Sequence, residues 1–213
     1  MPAVAYDNQA SITGSAVTSL DTAAFTITSQ PNRVAIVGLS QDQSVSAISY
    51  TVGGVADNGA IPGCFASNKF TASVTAPPSG SQTAHCQWTT ATNAVFGVLT
   101  LYNVNQQTPT NNGTVSAALG TGTTLSVTIT SGPGDRTVDH VFATAARMLS
   151  ANTQTLGYNT AISTISGGST YGPGTGTTTH QWTVSAGTGG RDDGVNVVQV
   201  ADNPAITSIY VIP

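Results

Sequence analysis

Residues 123–130 read Thr-Thr-Leu-Ser-Val-Thr-Ile-Thr. In this stretch Leu125, Val127 and Ile129 alternate with side chains that carry a hydroxyl group. Because successive side chains of a β-strand point to opposite faces, the alternation predicts a strand with one buried face and one face covered by hydroxyls. No helical period fits the same residues, so this stretch favours a β-rich fold.

Two other stretches are almost continuously apolar. They span residues 33–40, Arg-Val-Ala-Ile-Val-Gly-Leu-Ser, and residues 94–102, Ala-Val-Phe-Gly-Val-Leu-Thr-Leu-Tyr. Runs of this length predict central strands that are buried on both faces. Around them, short runs of Val, Ile, Thr and Ala are separated by Gly, Pro, Asn and Asp, which is the spacing typical of a sandwich or barrel.

The remaining runs give further predictions. Residues 69–75 and 82–88 flank Ala-Pro-Pro-Ser-Gly at 76–80, and we expect them to form a hairpin. Residues 167–176 are rich in glycine and poor in apolar residues, which predicts a mobile or ligand-binding loop. Further strands are expected at residues 45–52, 137–146, 177–184 and 195–200, and only around residues 143–149 could a helical turn be argued.

The composition points in the same direction. Only 7% of the 213 residues are charged, there are 35 Thr and 21 Ser, Lys69 is the single lysine, and there is no glutamate. Glu and Lys, two strong helix formers, are therefore almost absent and residues that suit strands abound, which excludes a helical bundle, a Rossmann domain and a coiled coil. The predicted strands are too many for one open sheet, which would curl or split. We therefore predict an antiparallel two-sheet β-sandwich. With no repeat or linker, residues 1–202 are expected to form one domain, followed by an extended tail at 203–213.

Charge and cysteine content limit the partners. The formal net charge is −4, with no basic stripe to neutralise phosphates, so we expect no nucleic-acid partner. No window approaches 18 uninterrupted apolar residues and no leader is visible at the N-terminus, so no membrane partner is expected. Cys64 and Cys86 have no spacing suited to zinc, and they form either one disulfide or two free buried thiols.

Candidate catalytic residues are few. His85, His140 and His180 each fall inside a predicted strand, and no Gly-x-Ser-x-Gly nucleophile elbow accompanies them. Asp139 and His140 are adjacent in a strand, so their side chains should point to opposite faces and cannot share a site directly. We therefore expect no catalytic residues and no enzyme activity, and read the three histidines as structural.

Few residues are candidates for a metal or ligand site. Asp192 and Asp193, with Asp202 or Asn203, could supply oxygens to calcium, although an ordinary polar turn with Arg191 paired to a carboxylate is the favoured reading. No metal or cofactor is therefore assigned.

Aromatic residues could stack on sugars. Trp88 and Trp182 fall in predicted strands and are expected in the core. Tyr171 lies in the predicted glycine-rich loop, so it is the aromatic residue selected as a possible ligand contact, which would be a glycan.

The C-terminal run at residues 205–213 reads Ala-Ile-Thr-Ser-Ile-Tyr-Val-Ile-Pro. Asn203-Pro204 interrupts the preceding strand, and an exposed segment with apolar groups on both faces would be an aggregation hazard. The run is either a last strand of its own subunit or an element that pairs with a neighbouring subunit. We predict the second, with the interface formed by Ile206, Ile209, Tyr210, Val211 and Ile212.

Five motifs occur in an order that resembles a known family. They begin at Arg33, Ile48, Ala76, Leu101 and Thr178, and include Gly-Gly at 53–54 and Asn-Gln-Gln-Thr-Pro at 105–109. This order is similar to that of β-sandwich domains found in bacteriophage structural proteins and bacterial surface proteins. The resemblance covers residues 2–200 and implies a jelly-roll-like module without assigned catalytic residues. The chain departs from the family in its cysteines and in the run from Asn203 to Pro213.

These observations favour a non-enzymatic structural protein of a bacteriophage virion, either a capsid decoration (cement) protein or a tail-fibre module. Its expected partners are further copies of itself and other virion proteins. The alternative is a secreted or surface module, extracellular, that binds carbohydrate or mediates adhesion. Charge-poor strands suit an assembled particle, in which neighbouring subunits cover the edges of the sheets.

Overall fold

A computed structural model describes residues 2–56, 60–66, 69–110, 115–118, 124–144, 149–185 and 194–200. All regular secondary structure in these ranges is β, so the all-β prediction is confirmed. The strands are β1 (Ala5–Asp21), β2 (Phe25–Ile27), β3 (Val34–Gln41), β4 (Ser49–Val52), β5 (Val55–Ala56), β6 (Ala60–Ala66), β7 (Lys69–Thr75), β8 (Gly80–Gln82), β9 (Ala84–Tyr102), β10 (Val115–Ala118), β11 (Thr124–Ser131), β12 (Arg136–Thr144), β13 (Leu149–Ala151), β14 (Thr155–Ile162), β15 (Ile165–Pro173), β16 (Gly176–Val184) and β17 (Gly194–Val200).

The largest sheet is built around β9. Six of its seven strands follow the order β5-β4-β9-β3-β7-β6, and the seventh, β1, pairs with β9. The first part of β9 pairs with β4 and its second part with β3, while β1 runs antiparallel along the other side. A 19-residue strand that changes partner in this way makes the sheet curl, so that the sheet encloses a core of its own.

Three smaller sheets complete the described fold. The five-stranded sheet has the order β10-β17-β12-β15-β14, the three-stranded sheet has the order β11-β16-β13, and β2 pairs with β8. Every strand pair among the described residues is antiparallel.

Along the central strands, alternate side chains point into different hydrophobic cores on the two faces of a sheet. On β3, Ala35, Val37 and Leu39 pack inside the curled seven-stranded sheet, whereas Val34 and Ile36 face the five-stranded sheet. On β12 the same alternation places Val138 and Phe142 against the seven-stranded sheet, and Val141 and Ala143 against the three-stranded sheet. The five-stranded sheet is therefore the middle layer, buried on both faces along β12.

Several predictions from the sequence are confirmed. All eight residues of β3 are buried, and β9 contains the predicted run at 94–102, which is buried from Ala94 to Leu101. β11 alternates between exposed and buried positions over its whole length, as the pattern at 123–130 predicts. Strands also form at the predicted positions of β12, β16 and β17.

Two local predictions are wrong. β7 pairs with β3 and β6 instead of forming a hairpin with residues 82–88, whose partners are β4 and β1. Residues 165–173 form β15, where a loop was expected, because neighbouring side chains fill the space above its glycines. Residues 145–148, around which a helical turn could be argued, lie outside the described residues, between the end of β12 at Thr144 and the start of β13 at Leu149.

The arrangement of sheets is more complex than a simple sandwich. The described strands form four hydrogen-bonded sheets, and the predicted two-sheet, jelly-roll-like arrangement is not confirmed. The predicted boundary between a domain at 1–202 and a tail at 203–213 lies outside the described residues, as do the five predicted interface residues of the tail.

Candidate functional site

The three histidines occupy different environments. His140 on β12 and His180 on β16 are buried, and each is hydrogen-bonded. His85 on β9 is half-buried at the surface, where its Nδ1 lies 2.9 Å from Asp21 Oδ1. Since exposed ion pairs contribute little to stability, the His85–Asp21 pair is a minor surface contact.

His140 connects two sheets. Its Nε2 lies 3.1 Å from Ser40 Oγ on β3, and its Nδ1 lies 2.6 Å from the Tyr158 hydroxyl on β14. Burial, together with the charge of Asp139, raises the pKa of Tyr158 well above its usual value, so the phenol stays neutral. Ser40, His140 and Tyr158 are at most 5% exposed, so the Ser–His contact has no room for a substrate and serves to join the layers.

Asp139 connects the middle layer to the three-stranded sheet. Its Oδ2 accepts a hydrogen bond of 2.5 Å from Trp182 Nε1 and lies 3.3 Å from His180 Nδ1, and its Oδ1 accepts one from the backbone N–H of Thr170. Asp139 and His140 thus face opposite sheets, as their adjacent positions predict. A carboxylate buried to this degree is tolerated because it accepts several hydrogen bonds.

The outer face of the three-stranded sheet is a regular polar surface. The outward side chains of β11 lie directly opposite those of β16, and seven of these eight residues carry hydroxyls, the eighth being a glutamine. The Thr128 and Thr179 hydroxyls lie 2.9 Å apart across the two strands. We call this surface the hydroxyl face; it consists of the pairs Thr124–Thr183, Ser126–Gln181, Thr128–Thr179 and Thr130–Thr177.

A groove of about 280 Å³ opens beside one end of the hydroxyl face. Thr177 and Thr179 belong to both, and the groove is otherwise lined by Thr153, Gln154, Pro173, Thr175 and Thr178. Neither the groove nor the hydroxyl face contains a charged side chain. The β11 side of the hydroxyl face was predicted from the sequence, but the groove was not, because the groove depends on the turn between β15 and β16 and on the approach of residues 153–154.

Tyr171 lies on β15, not in a loop. Its ring stacks on that of Tyr6, with ring centroids 4.2 Å apart and planes 2° from parallel. Burial, followed by the charges of Tyr171 and Asp7, raises the pKa of Tyr6 to about 12. One face of the Tyr171 ring is therefore covered within the protein, and its predicted contact with a ligand stays a prediction.

The predicted metal and disulfide sites have different outcomes. In the described ranges, no group of three or more His, Cys, Asp or Glu side chains could hold a metal ion, while Asp192, Asp193, Asp202 and Asn203 lie outside those ranges. Cys86 is a free, buried thiol, so it does not form a disulfide with Cys64. No helix in the described part of the chain is long and apolar enough to cross a membrane.

Comparisons with known proteins give only distant similarities. No family model and no curated protein matches the chain. Among solved structures, a conserved protein of unknown function from Pseudomonas aeruginosa has 11% identity and a TM-score of 0.29, with 93% of this chain and 98% of that chain covered. HutD from Pseudomonas fluorescens has 11% identity and a TM-score of 0.23, with 85% and 77% covered. The PBSX exported protein XepA has 9% identity and a TM-score of 0.26, with 92% and 86% covered. TM-scores this low assign neither a fold family nor a function.

Proposed function

We propose that the protein is a non-enzymatic structural module of a bacteriophage virion, a capsid decoration protein or tail-fibre module, that assembles through its sheet edges. In this proposal the body is a jelly-roll-like sandwich and the partners are further copies of the chain and other virion proteins. The observation that carries the proposal is the edge strand β11. Among the described residues, β11 is hydrogen-bonded as a strand only to β16, while its backbone also lies close to β10 and β17.

β11 carries none of the sequence features that usually oppose pairing at an edge strand. Natural edge strands are blunted by charged side chains, prolines, bulges or shortness. β11 has eight residues in unbroken register with β16, and it contains neither charge nor proline. By contrast, β1 has three register shifts and β14 has one, while β10 and β13 have four and three residues. β11 is therefore the edge best suited to accept another strand.

The proposed occupant is the C-terminal run at residues 205–213 of a neighbouring copy. This run is also free of charge, and it is about as long as β11. Main-chain hydrogen bonds would provide the affinity in such a pairing, and alternate side chains would provide the specificity. Sparse charge over the whole chain further reduces the repulsion between closely packed copies.

Sedimentation velocity tests the edge contact. We expect concentration-dependent self-association of the full chain, and its loss in Ser126→Lys, because a lysine on an edge strand opposes further pairing. Thr90→Lys adds the same charge at an exposed position on β9 and should associate like the unmodified chain. A chain that stays monomeric at every concentration, or association that survives Ser126→Lys, would contradict assembly through β11.

Fractionation of the native source tests the setting. A virion module should sediment with intact particles in a density gradient. Recovery only with cells or polysaccharide would instead favour the secreted or surface module.

A further inference from the structure

We propose that the groove beside β16, together with the adjoining hydroxyl face, is a binding site for a neutral glycan chain. The proposal goes beyond assembly, because it concerns the groove and the outer surface of the three-stranded sheet and not its edge. It also differs from the sugar contact predicted at Tyr171, which does not line the groove.

The floor of the groove is held in place by hydrogen bonds. Thr153 Oγ1 and Gln154 Nε2 both donate to the carbonyl oxygen of Thr179, at 2.8 and 3.0 Å, and Thr153 Oγ1 accepts from the backbone N–H of Gln181 at 3.0 Å. A Cβ at Gly172 would overlap Gln154 Oε1, so the glycine makes room for this side chain. The site is therefore formed before any ligand arrives, which reduces the entropic cost of binding.

Two hydroxyl groups in the groove remain available. The hydroxyls of Thr175 and Thr177 are exposed and have no hydrogen-bond partner among the described residues. A threonine hydroxyl both donates and accepts hydrogen bonds, and so does a sugar hydroxyl, so the two kinds of group match. The ring of Pro173 adds an apolar patch on which the C–H face of a sugar can pack.

Charge and size define the class of ligand. Because no charged side chain lines the groove or belongs to the hydroxyl face, an ionic ligand would lose its hydration without gaining a partner. A volume of about 280 Å³ lies at the lower end of small-molecule sites and suits one or two sugar units. The hydroxyl face continues from Thr177 and Thr179 along the sheet, where it can contact the next units of a chain. Each such contact replaces a contact with water and gains little, so we expect oligosaccharides to bind far better than monosaccharides.

Nuclear magnetic resonance titration of the full chain tests the site. The probes are neutral hexasaccharides of glucose, mannose, galactose and N-acetylglucosamine, with hexagalacturonate as the acidic comparison. At least one neutral probe should shift the amide signals of residues 153–154 and 175–179. Absence of shifts with every neutral probe, shifts confined to another surface, or tighter binding of hexagalacturonate at these residues would overturn the proposal.

Variants test whether the available hydroxyls of the groove contribute to glycan binding. Thr175→Val with Thr177→Val keeps the shape of both side chains and removes two hydroxyls, so we expect binding about fivefold weaker or worse. Thr90→Val makes the same change at an exposed position on β9 and should bind like the unmodified chain. Thr175→Val alone, in the turn between β15 and β16, provides a smaller loss if the double variant folds poorly. Equal affinities for the double variant and Thr90→Val would refute the assignment, whether or not the chain assembles through β11.

Discussion

Gly38 on β3 lies directly opposite Gly97 on β9 in the seven-stranded sheet. A Cβ at Gly38 would overlap the imidazole ring of His140, and a Cβ at Gly97 would overlap the phenol ring of Tyr158. The paired glycines thus form a slot in the face of the sheet, and the hydrogen-bonded rings of His140 and Tyr158 occupy this slot. The seven-stranded and five-stranded sheets can pack at this distance because Gly38 and Gly97 have no side chain where the two rings lie.

The slot predicts a large cost for a single methyl group. Gly97→Ala should lower the free energy of unfolding by about 3 kcal/mol, because the new Cβ cannot coexist with the Tyr158 ring where it lies. Gly54→Ala is the matched control: it has a φ of +78° and no atom near its Cβ position, so it should lose only about 1 kcal/mol through backbone strain. Urea unfolding measures both values. Equal losses in the two variants would show that the slot is not tightly filled.

The hydroxyl of Tyr158 should contribute separately from its ring. Tyr158→Phe removes the partner of His140 Nδ1 inside the protein, and we expect a loss of about 1–3 kcal/mol, the cost of a buried polar atom left unpaired. Tyr102→Phe, at a half-buried position with no hydroxyl partner in the described ranges, should change stability much less. The prediction fails if both variants unfold at the same urea concentration as the parent chain.

The main strands could be predicted from sequence because their own side chains specify them. β3, β9 and β11 carry long apolar or alternating runs, so burial and pattern agree. β1 was not predicted, because most of its residues are polar and only partly buried, and it is specified by its pairing with β9. β15 was mistaken for a loop for a related reason: at Gly167 and Gly168 the space above the backbone is filled by Val95 and Trp182, which are distant in sequence.

Only part of the candidate site could be predicted from the sequence. The alternation in β11 indicated its hydroxyls, but the partner positions on β16 depend on strand register, which no local pattern specifies. The groove needs residues 153–154, between β13 and β14, to approach the carbonyl of Thr179 on β16, and such a contact between a connection and a strand is a property of the folded chain.

Asp42 provides a prediction about pH. Burial raises its pKa, but hydrogen bonds from Thr164, Thr92 and Asn93 outweigh this effect and hold the pKa below its usual value. A lowered folded-state pKa stabilises the fold above the unfolded-state value, near 4, and the contribution disappears as pH falls through the folded-state value. Asp42→Asn should therefore melt at a lower temperature than the parent chain at pH 7, and the difference should shrink as the pH falls below about 4 and through the folded-state pKa.

Asp21→Asn is the control for Asp42. Its carboxylate pairs with His85 at the surface, where its side chain is 66% exposed, so the melting temperature at pH 7 should change little. A difference for Asp42→Asn that stays constant between neutral and acidic pH would show that ionisation of Asp42 does not matter.

Cys86 should be chemically silent in the folded protein. Burial raises the pKa of its thiol to about 12, so no reactive thiolate forms at neutral pH. In a Cys64→Ser background, an aromatic disulfide reagent at about pH 8 should leave the native protein unlabelled and should label one thiol after denaturation in guanidinium. Rapid labelling of the native protein would contradict the burial of Cys86.

The raised pKa of Cys86 should also make the stability of the protein depend on pH. The unfolded thiol ionises near pH 8.5 while the folded one keeps its proton, so stability should fall as pH rises above about 8.5. Cys86→Ala should remove this part of the alkaline loss. An alkaline slope that is identical in the parent chain and in Cys86→Ala would assign the loss to other groups.

Deletion of residues 204–213 tests the role of the C-terminal run. If the run pairs with β11 of a neighbouring copy, its removal should abolish self-association in sedimentation velocity, as Ser126→Lys should, and leave the melting temperature of the monomer nearly unchanged. Combining the deletion with Ser126→Lys should cause no further loss of self-association, because each change removes one side of the same contact. A deletion that unfolds the monomer would instead show that the run belongs to the core of its own subunit, and that another segment must supply any strand that pairs with β11.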